Sequence, residues 1–196
     1  MPVQLVLATH NAHKVEELRR ILGTQLDGIE LVAYDGPEPI EDGATFEANA
    51  LIKARAAAAH SGLPAIADDS GISVDALGGA PGIHSARYAG TRVDTDNVEL
   101  LLKNLEGVDD RTAQFVCAAA FVTPDGVEEV VRADWPGSVL TEAVGGGGFG
   151  YDPVFKPAGL SVSSAELRPD EKDAISHRTQ AFGALMPVVR ERLLPR

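Results

Sequence analysis

Cysteine, aromatic residues and positive charge are all scarce in this chain. A single cysteine, Cys117, stands among 196 residues. No internal disulfide can form, and a zinc site needing two or more cysteine ligands is excluded. Cys117 lies in the apolar run AQFVCAAAFV and reads as a small buried hydrophobe. Aromatics make up 5% of the chain, so the core must consist mainly of Val, Leu, Ile and Ala. Lys and Arg number 17 against 29 Asp and Glu, a formal net charge of −12. Such a surface repels nucleic-acid phosphate and anionic lipid, so neither is an expected partner. An anionic ligand would have to meet a local cluster of Lys and Arg. No apolar run approaches membrane-spanning length. The opening MPVQLVLATHNAHK has a short apolar stretch with no basic region before it, unlike a signal peptide. A cytoplasmic enzyme or binding protein is the expectation.

What is present is an ordinary globular composition, 44% apolar and 23% charged. The length suits one domain, or one domain of two lobes. VQLVLAT reads as a buried strand, followed by a helix with Val15, Leu18, Ile21 and Leu22 at helical spacing and Gly23 at its end. IELVAY is a second strand, and DGPEPIEDGA a loop. TFEANALIKARAAAAH is a strong helix, capped near Thr45 and stopped at Ser61-Gly62. PAIA is a short strand that ends at Asp68 and Asp69. DTDNVELLLKNLEG is another capped helix. TAQFVCAAAFVT and VEEVVRADWPG form a hairpin around PDG. VGGGGFGYDP is a glycine loop. The tail from about Ser176 is a helix, bent or interrupted near Pro187. Strands and helices alternate early and a hairpin comes late. That pattern predicts an α/β fold with a mixed sheet, with ligands beyond the C-terminal ends of its parallel strands.

Several segments carry residues that chemistry could use. THNAHK, Thr9–Lys14, lies between a strand and a helix N-terminus. Free N–H groups and the helix dipole favour phosphate there, and Lys14 adds a full charge. The same residues also suit a plain helix cap. Glu41 precedes a helix that contains Lys53; each could equally be solvated surface. Asp68 and Asp69 are adjacent, and adjacent strand side chains point to opposite faces. They are therefore not expected to grip one ion together. Ser70 and Gly71 follow, a small hydroxyl and a bare backbone that would let phosphate approach. The loop LGGAPGIHSARYAG is either a rigid connector or a binding element, with Arg87 bracing it or meeting an anion. In the glycine loop, Phe149 and Tyr151 offer faces for stacking on a base, and Asp152 can accept hydrogen bonds. Lys172, His177 and Arg178 bring basic character near the last helix, with Ser176 as its cap. No HExxH or paired-histidine zinc spacing occurs. Each signal is weak singly, but together they provide what a nucleoside triphosphate and Mg²⁺ require.

The chain also resembles a known family, the non-canonical purine nucleoside triphosphate pyrophosphatases, also called inosine/xanthosine triphosphate pyrophosphatases. LATHNAHKVEEL, TFEANALIKARAA, LPAIADDSGISVDALGGAPGIHSARYAG, WPG, GGFGYDPVF and ELRPDEKDAISHR carry the resemblance, in family order, over nearly the whole chain. It implies one domain over 1–196 with a mixed central β-sheet flanked by helices, in two lobes around a long nucleotide-binding cleft, and a homodimer. It implies Mg²⁺-dependent hydrolysis of ITP, dITP and XTP to monophosphate and pyrophosphate. Residue by residue, it implies Asp69 as general base and metal ligand, and Glu41 as a second carboxylate near the metal. Thr9, His10, Asn11, Ala12, His13, Lys14, Lys53 and Ser70 would bind phosphates. Phe149, Gly150, Tyr151, Asp152, Lys172, His177 and Arg178 would bind base and sugar. Many members have Gly where His10 and His13 stand here.

The resemblance gives specificity a simple logic. Hypoxanthine and xanthine present an acceptor oxygen at position 6, where adenine presents an amino donor. Donors fixed at that point would be left unpaired by adenine, at about 1–3 kcal/mol. Two other readings remain: a hydrolase of pyrimidine or modified nucleotides on a similar fold, and a nucleotide-binding module without turnover.

Overall fold

The structure is a computed structural model and describes residues 2–194. Met1, Pro195 and Arg196, the ends of the expected 1–196 domain, lie outside the described residues. The early chain alternates as expected: β1 (Val3–Leu7), α1 (Ala12–Leu22), β2 (Ile29–Ala33), α2 (Phe46–Ser61) and β3 (Ala65–Val74). Then come α3 (Asp94–Asn104), β4 (Thr112–Val122), β5 (Glu128–Val139), β6 (Phe155–Pro157), α4 (Pro169–Ile175) and α5 (His177–Leu193). The six strands form one sheet in the order β2-β1-β3-β4-β5-β6. β1 pairs parallel with β2 and β3, and β5 pairs antiparallel with β6, so the sheet is mixed. The α/β class expected from the pattern is the class observed.

Local signals account for most helix ends. Thr45 caps α2 by accepting the Ala48 N–H, and Gly62 closes that helix in the left-handed region. Gly23 ends α1. Helix α3 differs from the expected capped form: Val93 holds the cap position and makes no side-chain bond. Helix α5 runs through Pro187 as one element. Phe182, Leu185, Met186 and Val189 are fully buried along it, and that packing outweighs the one backbone bond a proline removes. Ahead of it, α4 is a short separate helix, with Ser176 between the two.

The chain divides into two compact units. The first comprises Met1–Asp69, Cys117–Ala133 and Arg178–Arg196, and the second Ser70–Val116 and Asp134–His177. The core of the first gathers Leu5, Leu18, Ile66, Phe121 and Phe182, with Cys117 buried among them. Burial pushes the Cys117 thiol up, so it stays protonated, as its apolar setting implied. The core of the second gathers Ile72, Leu101, Phe115, Trp135 and Phe155. Among the described residues no helix is long and apolar enough to cross a membrane.

Strand β3 corrects one expectation. It does not stop at the two acids but continues through them to Val74. Buried carboxylates are poor strand residues unless cations meet them, and the cations that do so come from distant segments. Gly71 also has a different reason from close phosphate approach. A Cβ there would overlap Ser85 Oγ and lie 2.6 Å from the Gly82 carbonyl oxygen. The bare backbone admits the Gly82–Arg87 turn, whose Ser85 hydroxyl accepts the Ile72 N–H at 2.9 Å. Gly71→Ala is therefore expected to destabilise the protein by about 1–3 kcal/mol, the usual cost of overpacking. Urea denaturation followed by circular dichroism measures it, and an unchanged midpoint would contradict this packing.

Candidate active site

The segment after β1 turns directly into α1. Asn11 is the cap, its Oδ1 accepting the N–H groups of His13 and Lys14 at 3.0 and 3.3 Å. Thr9 Oγ1 accepts the Asn11 N–H at 3.1 Å and holds the approach. The first turn of α1 contains no acid, yet carries His13 and Lys14. The positive charge of Lys14 opposes the helix dipole there, an arrangement that suits an incoming anion. His10 has partners in the loop after β2. Its Nε2–H donates to the Gly36 carbonyl at 3.1 Å, and its ring lies 5.4 Å from that of Tyr34. Tyr34 in turn donates to the Pro37 carbonyl at 2.9 Å. His10 thus fastens the first loop to the loop after β2. His13 is exposed at the second helical position.

Asp68 and Asp69 take different partners, as alternation along a strand requires. Asp68 is 2% exposed. Its Oδ2 accepts Lys14 Nζ at 3.0 Å and Arg178 Nη2 and Nε at 3.3 and 3.4 Å. Arg178, also 2% exposed, pairs on its other side with Glu17 of α1. Burial disfavours the guanidinium charge, but Asp68 and Glu17 outweigh it and keep Arg178 a firm cation.

Asp69 Oδ1 accepts Lys53 Nζ at 2.9 Å, and the same ammonium lies 2.9 Å from Glu41 Oε2. Lys53 comes from α2. Asn49, one turn earlier on that helix, donates to Asp69 Oδ2 at 3.4 Å and accepts the Gly43 N–H at 2.9 Å. The loop that carries Glu41 is thereby tied to the catalytic-candidate acid. Burial lowers the Lys53 pKa, yet Asp69, Asp68 and Glu41 together hold it above the usual lysine value. Burial raises the Asp69 carboxyl, and Lys53 and Lys14 only partly pull it back. Ser70 follows Asp69 in the strand and is half-buried.

Glu41 and Asp69 converge on a single point, now held by the Lys53 ammonium. Two hard oxygen donors on one point, one of them in a partly desolvated setting, fit a divalent cation that keeps water and phosphate as its other ligands. Among the described residues no group of three or more His, Cys, Asp or Glu could hold a metal by itself. A cation here would thus depend on a ligand to complete its shell.

The second unit contains its own cluster. Asp152 is 2% exposed and accepts the Phe149 N–H at 2.9 Å, Lys172 Nζ at 2.7 Å and Ser164 Oγ at 2.8 Å. Lys172 Nζ lies 5.3 Å from the centre of the half-buried Phe149 ring. Tyr151 is buried, and its hydroxyl donates to the Ser85 carbonyl at 2.8 Å. Of the two aromatics in this loop, only Phe149 offers a face. His177 is 4% exposed, its ring stacked 4.9 Å from Phe115 and 6.1 Å from Trp135.

The expected residues therefore gather in two places. Lys14, Glu41, Lys53 and Asp69 meet in the first unit, joined there by Arg178, which the resemblance puts at the base. Phe149, Gly150, Tyr151, Asp152 and Lys172 lie together in the second, where His177 stacks on Phe115 and Trp135. Glu17, Asn49 and Asp68 as the partner of Lys14 were not foreseen as site members. All three are buried polar residues, 3%, 3% and 2% exposed, and the sequence offered no signal for them beyond apolar neighbours such as Leu18, Ala50 and Ala67.

A family model described as the Ham1 family matches residues 5–188. The chain belongs to the Ham1 family. It is 56% identical over 191 residues to a dITP/XTP pyrophosphatase of Leifsonia xyli, spanning 96% of each chain. It is 53% identical over 200 residues to one from Frankia alni, spanning 97% of this chain and 99% of that one. Among solved structures, a Staphylococcus aureus Ham1 protein superposes with a TM-score of 0.87 at 36% identity, covering 96% of this chain and 99% of that one. A Mycobacterium abscessus nucleoside-triphosphatase / dITP/XTP pyrophosphatase superposes with a TM-score of 0.77 at 46% identity, covering 96% and 100%.

In this Ham1 protein Asp68 is the buried counter-charge of two cations, and removing one member of such a pair leaves the other uncompensated. Asp68→Asn is expected to lower stability by about 3–5 kcal/mol. Urea unfolding monitors this; a loss under about 1 kcal/mol, the range of exposed pairs, would show that Asp68 does not balance Lys14 and Arg178.

Proposed function

We propose that this Ham1 protein hydrolyses the non-canonical purine nucleoside triphosphates ITP, dITP and XTP to the monophosphate and pyrophosphate, and so clears them from the nucleotide pool. The observation that carries the reading is the gathering of Lys14 and Lys53 with Asp68, Asp69 and Glu41 beyond the end of β1, in a chain of net charge −12. The carboxylates that pair with these lysines in the free protein hold them together in one place, where a polyphosphate and its metal ion can meet them. In this reading 1–196 acts as one two-lobed domain, whose first unit contributes Arg178 and the phosphate contacts other than Ser70, and whose second contributes the other base contacts. The likeness to the dITP/XTP pyrophosphatases supports the choice of substrate.

Thr9, His10, Asn11, Ala12, His13, Lys14, Lys53 and Ser70 bind the phosphates. Glu41 and Asp69 would hold Mg²⁺. That ion, when bound, neutralises charge on the triphosphate and on the departing pyrophosphate. Asp69 orients the attacking water and takes its proton as the oxygen bonds to the α-phosphorus. The bond from that phosphorus to the bridging oxygen breaks, and pyrophosphate leaves with the electron pair. Burial raises the Asp69 carboxyl in the free protein. Lys53, held above the ordinary lysine value, stays charged through the reaction.

Phe149 supplies the stacking face for the base, and Lys172 a cation beside it. Gly150, Tyr151, Asp152, His177 and Arg178 complete the base and sugar side, the last four acting from buried positions on their neighbours. An enzyme of the nucleotide pool works in the cytoplasm, and the family resemblance favours a homodimer.

The reading is tested by steady-state turnover of a panel of purine and pyrimidine triphosphates, with Mg²⁺ and with chelator. Release of pyrophosphate from dITP and XTP, lost with chelator, is expected. Release of orthophosphate alone would mean attack elsewhere than the α-phosphorus, and binding without turnover would leave a ligand-binding module. Asp69→Asn is expected to reduce dITP turnover by about 10²–10⁴-fold with the circular dichroism spectrum retained. Near-normal turnover in that folded variant would remove Asp69 from the proton transfer.

A further inference from the structure

Helix α3 begins with an aspartate whose carboxylate bonds outside its own helix. Asp94 is the first helical residue, and the cap position before it belongs to Val93, which makes no side-chain cap bond. An aspartate at a helix start usually satisfies that helix's own N–H groups. Asp94 Oδ2 instead accepts the Gly150 N–H at 2.7 Å, across 56 residues of chain. One residue earlier, the Phe149 N–H donates to Asp152 Oδ2 at 2.9 Å. Two successive backbone donors are thus held by two carboxylates, one from inside the loop and one from α3. The Phe149 ring projects from between them.

The loop needs such ties. Gly145–Gly148 are four glycines in a row, and Gly150 has φ +61°. Glycine populates this region freely and resists few alternatives, so the sequence of the loop does not fix its path. Its path is set by bonds to other segments, Gly147 N–H to the Ala165 carbonyl at 2.9 Å and Gly150 N–H to Asp94, and by the Phe149 N–H to Asp152 within the loop. Asp152 is buried and also engaged by Lys172 and Ser164, whereas Asp94 is exposed. A charged acceptor makes the Asp94 bond stronger than a neutral turn bond.

We propose that Asp94 is a positioning residue for purine recognition, its carboxylate fixing the Gly150 N–H so that the Phe149 face is set before the base arrives. The proposal rests on the reading of Phe149 as the base platform and adds the residue that orders it. Without the tie the glycine loop populates other paths, and binding must first select the competent one, which weakens apparent affinity by the competent fraction. The chemistry at the phosphates is untouched.

The test compares Asp94→Ala, Asp94→Asn, Phe149→Ala and the double variant Asp94→Ala/Phe149→Ala, each checked by thermal melting for an intact fold. Asp94→Ala is expected to raise KM for dITP about five- to twentyfold, with kcat changed less than about twofold. Asp94→Asn, which keeps an oxygen acceptor, recovers most of that loss. Phe149→Ala raises KM by at least as much, and adding Asp94→Ala to it raises KM no further. Inorganic tripolyphosphate, which has no base, inhibits wild type and Asp94→Ala with equal Ki. A normal KM in Phe149→Ala would overturn the platform reading and this proposal with it. A raised KM in Phe149→Ala with a normal KM in Asp94→Ala overturns the role of Asp94 alone. So does a full additional effect in the double variant, an Asp94→Asn no better than Asp94→Ala, or a Ki for tripolyphosphate that rises with KM.

Discussion

Two carboxylates on neighbouring residues, both nearly out of solvent in one strand, have to be matched by positive charge for the strand to form. Desolvating a carboxylate costs several kcal/mol unless a cation or strong donor compensates it. In β3 the compensation is divided. Asp68 takes Lys14 and Arg178; Asp69 takes Lys53, with Asn49 beside it. The partners come from α1, α2 and the start of α5, so the same charges that allow the strand to continue also fix three helices of the first unit. Glu17, paired with the far side of Arg178, closes the chain of contacts.

This arrangement separates structure from chemistry across one peptide bond. Asp68 is shut away with cations that neutralise it. Asp69, 8% exposed, shares its lysine with Glu41 and keeps a raised pKa. A fully compensated carboxylate is an anchor; an incompletely compensated one is available to a metal or a proton. The alternation of side chains along a strand gives two adjacent, like residues these unlike environments. The second unit repeats the principle on a smaller scale, with buried Asp152 holding Lys172 and the Phe149 amide.

Much of this was legible from local pattern. Thr45 and Gly62 mark the ends of α2 because capping and left-handed closure are properties of a few consecutive residues. The hairpin of β4 and β5 follows from two β-rich runs around PDG. The clustering of scattered basic residues was legible only through the resemblance, since each stood as a plausible surface charge. Where local pattern misled, a distant partner had intervened. β3 runs past its acids because of lysines and an arginine located 16 to 110 residues away. Gly71 is bare for Ser85 and Gly82. Asp94 leaves its own helix for Gly150. Tyr151 offers a hydroxyl to Ser85 and hides its ring.

By itself, the sequence determined the order of strands and helices, the mixed α/β class, and the set of residue types able to handle a triphosphate. These depend on periodicity, capping and composition, which act over a few residues. Tertiary structure alone decided which acid is closed in by Lys14 and Arg178 and which shares Lys53 with Glu41, which aromatic shows its face, and which carboxylate accepts the Gly150 N–H. Those outcomes depend on where charges and donors far apart in the chain come to rest, because electrostatic and hydrogen-bond energies follow distance in space and have no memory of distance along the backbone.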